Sequence, residues 1–188
     1  MKGMKAPKEV LTELKEILLY DEVTGELRWK KFRGGRGAAG KPLAGKLNNT
    51  GYYTIGINGK VYLRHRVIWA LYHGYWPENQ IDHINRDKTD NRISNLREVS
   101  HSCNTRNAKL RVDCTSGIKG VLFHSGINRW TAVIRCKGRK YNLVTTTDKV
   151  EAVAARLAAE QHLKWYECDS QSSAKKFMED YLLLGDDV

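Results

Sequence analysis

Four residues in "IDHINRDKTDNRISNLREVSHSCNTRN" have types and spacing that could hydrolyse a phosphodiester: Asp82, His83, Asn95 and Asn104. A carboxylate and an amide oxygen are hard ligands. With phosphate oxygens and water they suit magnesium or manganese better than zinc. An imidazole beside such a pair has the chemistry of a general base for water. An amide such as that of Asn95 can accept its other N–H and hold the tautomer. Activated water, a cation on the phosphate and nearby basic residues together make a hydrolytic centre. Spacing alone leaves plainer readings open: an Asp-His pair is often a surface ion pair, and the two asparagines suit a turn and a polar helix position. The run "DHINRDKTD" lacks the glycine and alternating ligands of an EF-hand, which sets calcium binding of that kind aside.

For the four to meet, the chain must run strand, polar loop, strand, helix. "QIDHI" is short and β-compatible, "NRDKTDNRISN" is turn chemistry and "LREVS" is a second strand. Ser100 is placed to N-cap "HSCNTRNAKL". Upstream, Val10, Leu14, Ile17 and Leu18 at helical spacing predict an amphipathic helix. "YDEVTGELRWKK" predicts two short strands around Thr24-Gly25. Residues 33–49 form a Gly- and Lys/Arg-rich loop, suited either to close approach to a phosphate backbone or to plain solvation. "GYYTIGINGKVYLRHR" predicts a hairpin with a type I′ turn at Asn58-Gly59. A helix follows from "RHRVIWALYH", with Gly74 as its stop.

Beyond a linker at "RVDCTSG" the rhythm changes. "KGVLFH", "RWTAVIRCKG" and "RKYNLVTT" predict three strands, and "DKVEAVAARLAAEQHLKWY" a helix capped by Asp148. One sheet face collects Val121, Phe123, Trp130, Ala132, Ile134, Tyr141 and Leu143. The other collects Lys119, His124, Thr131, Arg135, Lys140 and Asn142, either a solvated face or one fitted to a major groove. The segment after Glu167 either adds a short helix or stays loose.

Charge points to a polyanionic partner. The chain carries 32 Lys and Arg against 21 Asp and Glu, and the excess is uneven. Residues 1–110 hold 20 basic and 11 acidic side chains and residues 111–166 hold 10 and 4, whereas the last 22 hold 2 and 6. Two basic bodies with an acidic end suit nucleic acid, because each neutralised phosphate releases a counterion. The four cysteines form no C-x-x-C pair, which argues against a zinc knuckle or a disulfide framework and predicts free thiols. No apolar stretch is long enough for a membrane span.

The segment from Ile81 to Asn107 resembles the HNH endonuclease motif in its asparagine-ended form, as in phage and intron-encoded homing endonucleases. Asp-His, an Asn twelve residues after the His and another nine residues later are all present. "HRVIWALYHGYWPENQIDHIN" is similar to the segment that precedes the motif in that family. The resemblance implies a ββα-metal fold with His83 as general base, Asn95 orienting it, and Asp82 and Asn104 as ligands of Mg2+, with Mn2+ as the alternative. It implies double-stranded DNA as partner. Arg64, His65 and Arg66 are candidates either to face DNA or to stand as solvated helix-start residues, and His101 and Arg106, near the site, are further candidates for contact with phosphate. Residues 118–166 resemble the APETALA2/ethylene-response-factor type of DNA-binding domain in their Gly-Val, Trp-x-Ala-x-Ile and basic third strand. By that likeness Lys119, His124, Arg135, Lys140 and Asn142 face the groove. Leu122 and Val133 depart from the plant pattern, so base preference does not carry over.

The expectation is an α+β chain: an HNH module at residues 1–107, a linker at 108–117, a three-stranded antiparallel sheet packed on one helix at 118–166, and an acidic tail at 167–188. The function expected is site-directed DNA cleavage in a bacterial cytoplasm by a phage-encoded protein, monomer or dimer, with no membrane partner and no small-molecule cofactor. The alternatives are a non-catalytic DNA-binding regulator and a structural RNA-binding protein.

Overall fold

A turn that begins at Asp21 sets the entry to the first unit. The Asp21 carboxylate accepts from the backbone N–H groups of Val23 and Thr24, and Gly25 takes a left-handed φ of +73°. This turn joins β1 (Leu18–Tyr20) to antiparallel β2 (Leu27–Trp29). Helix α1 (Lys8–Ile17) therefore ends one residue before Leu18, which pairs in the sheet rather than continuing the helix. The computed structural model describes residues 8–30, 43–169 and 171–185 of the 188-residue chain. The part of the glycine-rich loop from 33 to 42 lies outside these.

The chain divides into two compact units, Met1–Asn104 and Thr105–Val188. In the first, β3 (Lys46–Leu47), β4 (Tyr53–Ile57) and β5 (Lys60–Leu63) form one antiparallel sheet. Asn58 and Gly59 both have positive φ, 48° and 73°, as a type I′ turn requires. Helix α2 (Arg64–His73) starts directly from β5. It stops at Gly74, left-handed at φ 78°, whose N–H reaches the Ala70 carbonyl. Strands β6 (Gln80–His83) and β7 (Leu96–Val99) pair antiparallel, and α3 (His101–Asn107) follows. Ser100 caps that helix, accepting from the Cys103 N–H. Leu14, Leu18, Leu27, Ile55, Ile57, Val67, Ile68, Ile81 and Leu96 form the core, to which β6 contributes Ile81 and β7 contributes Leu96.

In the second unit β8 (Val121–His124), β9 (Arg129–Cys136) and β10 (Arg139–Thr146) form an antiparallel sheet under α4 (Lys149–His162). Asp148 caps α4 through the Val150 N–H at 2.8 Å. A bulge between Asn142 and Val144 resets β10, so Val144 rather than Leu143 pairs with Ala132, and both pack on the core. Phe123 and Tyr141, expected to be buried, are more than two-fifths exposed. The segment past Glu167 is not a loose tail. It forms α5 (Ser173–Gly185), which seats Ala174, Phe177 and Met178 on the same core.

Helix and small antiparallel sheets make this an α+β protein. Cys114 and Cys136 are free thiols. Cys103 is oxidised in a disulfide and so is Cys168, which corrects the expectation that all four are free. Among the described residues no helix is long and apolar enough to cross a membrane.

Candidate active site

Successive residues of a strand point to opposite faces, so β6 presents Gln80 and Asp82 on one side and His83 on the other. Cross-strand pairing places Arg97 opposite Asp82, and its Nε and Nη2 reach Asp82 Oδ2 at 3.0 and 2.9 Å. Gln80 then ties this face to α3. Its Oε1 accepts from Asn104 Nδ2 at 2.7 Å, and its Nε2 lies 3.1 Å from His101 Nδ1. An amide N–H₂ only donates, so His101 Nδ1 is an acceptor there. Because Gln80 and Asp82 share a face, the Asn104 amide is brought to the side of the strand that carries the Asp82 carboxylate.

That donor set is one carboxylate and one amide oxygen, with no thiolate. Magnesium is held in this way, by one or two protein oxygens completed by water and phosphate. Among the described residues no cluster of three or more His, Cys, Asp or Glu could hold a metal. The Asp82–Asn104 pair fits a hard cation shared with a substrate phosphate and does not fit an all-protein cage.

His83, on the opposite face, is only 4 % exposed. Its ring lies edge-on to His65 at 4.9 Å between centroids and 6.0 Å from Tyr52. Burial pulls its pKa down, partly opposed by the Asn91 hydrogen bond and the Asp82 charge. The imidazole is thus kept neutral, the form that accepts a proton. The amide hydrogen-bonded to His83 Nε2, at 3.3 Å, is that of Asn91.

Asn95, expected in that role, organises the loop between β6 and β7. Its Oδ1 accepts from the Asn85 N–H at 2.9 Å and its Nδ2 donates to the Asp90 carbonyl at 2.8 Å. Asn85 also bonds the Asp90 carboxylate, and the Arg92 guanidinium beside Asp90 holds that carboxyl below its usual range. Lys88, at the loop tip, reaches the Thr50 carbonyl and lies over the Tyr52 ring.

The basic residues expected on DNA divide sharply. Arg64 and His65 do not face solvent. Arg64 is buried, donates to the Gly25 carbonyl and lies over Tyr53, while His65 packs between Tyr52 and His83. They are corrected to structural positions because α2 leaves β5 without a loop and its first turn is driven into the core. Arg66 donates to the carbonyls of Pro77 and Asn79 and so braces the connection into β6. His101 is exposed at the start of α3. In the second unit Arg106 lies over the Trp165 ring, and Lys119 donates to the Arg106 carbonyl and pairs with Asp169. Lys119 is therefore engaged within its own unit rather than turned to a groove. His124, Arg135, Lys140 and Asn142 are exposed, and Lys140 pairs directly with Arg135 across β9 and β10.

Gln80 and Asn91 were not singled out from sequence. Gln80 had one available signal, its position two residues before Asp82 on an alternating strand. Asn91 had none, because its approach to His83 depends on how the loop closes.

Residues 62–106 match the family described as HNH endonuclease. The chain is also similar to "Protein 3.8" of Escherichia phage T7, at 29 % identity over 92 residues, 48 % of this chain and 75 % of that protein. No solved structure matches. The family match ends at residue 106, and no comparison supports the expected likeness of residues 118–166 to APETALA2-type domains.

Proposed function

We propose that the chain is a phage-encoded, site-directed DNA endonuclease of the homing type, acting in the host cytoplasm with Mg2+. The observation that carries this reading is the Gln80–Asn104 hydrogen bond, which sets an amide of α3 on the Asp82 face of a strand whose next residue is a buried, neutral histidine. Asp82 and Asn104 would hold the cation, which when bound offsets negative charge on the scissile phosphate and the leaving oxygen. His83 removes a proton from water. The water oxygen bonds to phosphorus, the bond from phosphorus to the 3′-oxygen breaks, and that oxygen takes up a proton from solvent. Arg97 meanwhile keeps the Asp82 carboxylate in place against β7.

The exposed face of the second unit, with His124, Arg135, Lys140 and Asn142, would place the cut by lying along duplex DNA. A single centre hydrolyses one strand per placement. Supercoiled plasmid with Mg2+ should therefore give nicked circles first, and EDTA should stop the reaction. His83→Ala should abolish nicking while duplex binding stays within about twofold, given the 10²–10⁴-fold rate contribution typical of a general base. Normal nicking by His83→Ala would remove this mechanism. Intact plasmid under both conditions would leave a DNA-binding regulator.

A further inference from the structure

The amide of Asn91 can be oriented without ambiguity. Its Nδ2 donates to the Thr89 carbonyl at 3.0 Å, and a carbonyl only accepts. Turning the amide over would set two oxygens against each other. Asn91 Oδ1 must therefore be the atom 3.3 Å from His83 Nε2, and an oxygen of that kind also only accepts. For a neutral imidazole this leaves one arrangement: the proton sits on Nε2, and Nδ1 carries the lone pair.

Asn91 is itself held from a distance. The Tyr20 hydroxyl donates to the Asn91 carbonyl at 3.2 Å and accepts from the Ile93 N–H at 2.8 Å, clasping the backbone on both sides of Arg92. Gly25, in the turn that joins β1 to β2, lies against the same segment. A Cβ there would come within 2.6 Å of the Arg92 nitrogen and 2.8 Å of the Asn91 carbonyl carbon. Asn91 is only 2 % exposed. The hairpin of residues 18–29 lies outside the residues that match the HNH endonuclease family.

We infer that Asn91, braced by Tyr20 and Gly25 of the N-terminal hairpin, is the positioning residue that fixes His83 in the Nε2–H tautomer and makes Nδ1 the nitrogen that takes the proton from water. The inference deepens the nuclease reading and rests on it for the catalytic consequence. The tautomer stands on geometry alone. Hydrolysis needs the lone pair on the nitrogen facing water, so an imidazole free to exchange tautomers spends time in an unproductive form, and a ring with no partner on Nε2 is also free to turn.

The test uses the full chain and two readouts. Long-range ¹H–¹⁵N spectra of the imidazoles, with His83→Ala for assignment, should show His83 protonated on Nε2 in wild type without added metal. Asn91→Ala should give a mixture of tautomers and lower kcat for plasmid nicking about tenfold or more, with KM for DNA within about twofold. Asn91→Asp, which keeps the acceptor oxygen, should keep Nε2 protonated and restore nicking relative to Asn91→Ala. Tyr20→Phe should lower kcat by a smaller factor, about threefold, with the Nε2 signal retained but broadened. Should Asn91→Ala fail to fold, the other two variants carry the comparison. A wild-type His83 protonated on Nδ1 overturns the inference, as does Asn91→Ala with unchanged tautomer and kcat. If wild type nicks nothing, the nuclease reading fails while the spectra still decide the tautomer.

Discussion

Acidification should unfold the first unit through His65. Its ring is 3 % exposed between Tyr52 and His83, and burial, with the neighbouring His83 and Arg66, pushes its pKa down from 6.5 to about 3. The unfolded chain binds a proton there near pH 6.5, whereas the folded chain does not until near pH 3. Stability from this ring is therefore fully present above pH 6.5 and lost as pH falls toward 3. Each pH unit in that window costs about 1.4 kcal/mol, so the drop from about pH 6.5 to 4.5 costs about 3 kcal/mol. His83, whose pKa burial also lowers, adds in the same direction. The carboxyls of Asp21, Asp87 and Asp90 are held below their usual value of 3.8, so their contributions begin to fade only near that value, below the interval from about pH 6.5 to 4.5. Urea unfolding at several pH values, read at the methyl signals of Ile55 and Ile68, isolates the first unit from the second. His65→Gln should flatten the slope. Stability that stays level from about pH 7.5 to 4.5, or a His65 signal titrating near 6.5 in the folded chain, would refute the reasoning. The latter is the behaviour of a solvated DNA contact.

Two further outcomes follow from burial and charge. Leu27 is fully buried in the first core, so Leu27→Ala should cost about 2–5 kcal/mol in urea unfolding, and a loss under about 1 kcal/mol would show that the hairpin is not packed as described. Arg135 and Lys140 are an exposed cross-strand pair, so replacing both by Ala should lower the slope of log K against log salt for duplex binding by about two. An unchanged slope would take the sheet face off the DNA.

Local chemistry was the readable part of this chain. The Asn58-Gly59 turn, the Gly74 stop, the Ser100 and Asp148 caps and the strand–loop–strand–helix order depend on neighbours in sequence, and they stand where patterns place them. "RHR" at residues 64–66 was misleading for the complementary reason. Three polar residues at the head of a helix look solvated, yet Arg64 is placed by Gly25 and Tyr53, and His65 by Tyr52, all distant along the chain or in another strand. The bulge in β10 is likewise invisible in an alternating pattern, and it turns Val144 as well as Leu143 toward the core.

The same distinction explains why two asparagines exchange parts. Counting along the sequence places Asn95 twelve residues after His83, at the foot of the returning strand. There Ile84 N bonds the Asn95 carbonyl and Asn85 N bonds its side chain, so the residue closes the neck of the loop. A closed neck requires the eleven residues between to fold back on themselves. They do so through Asp87 over Thr89 and Asp90 over Arg92, which returns Asn91 to the ring of His83. Asn95 thus shapes the path and Asn91 makes the contact. Loss of Asn95 should disturb the whole loop, whereas loss of Asn91 should disturb one nitrogen. Spacing marks where a loop must close, and hydrogen-bond geometry inside it decides which side chain arrives at the base.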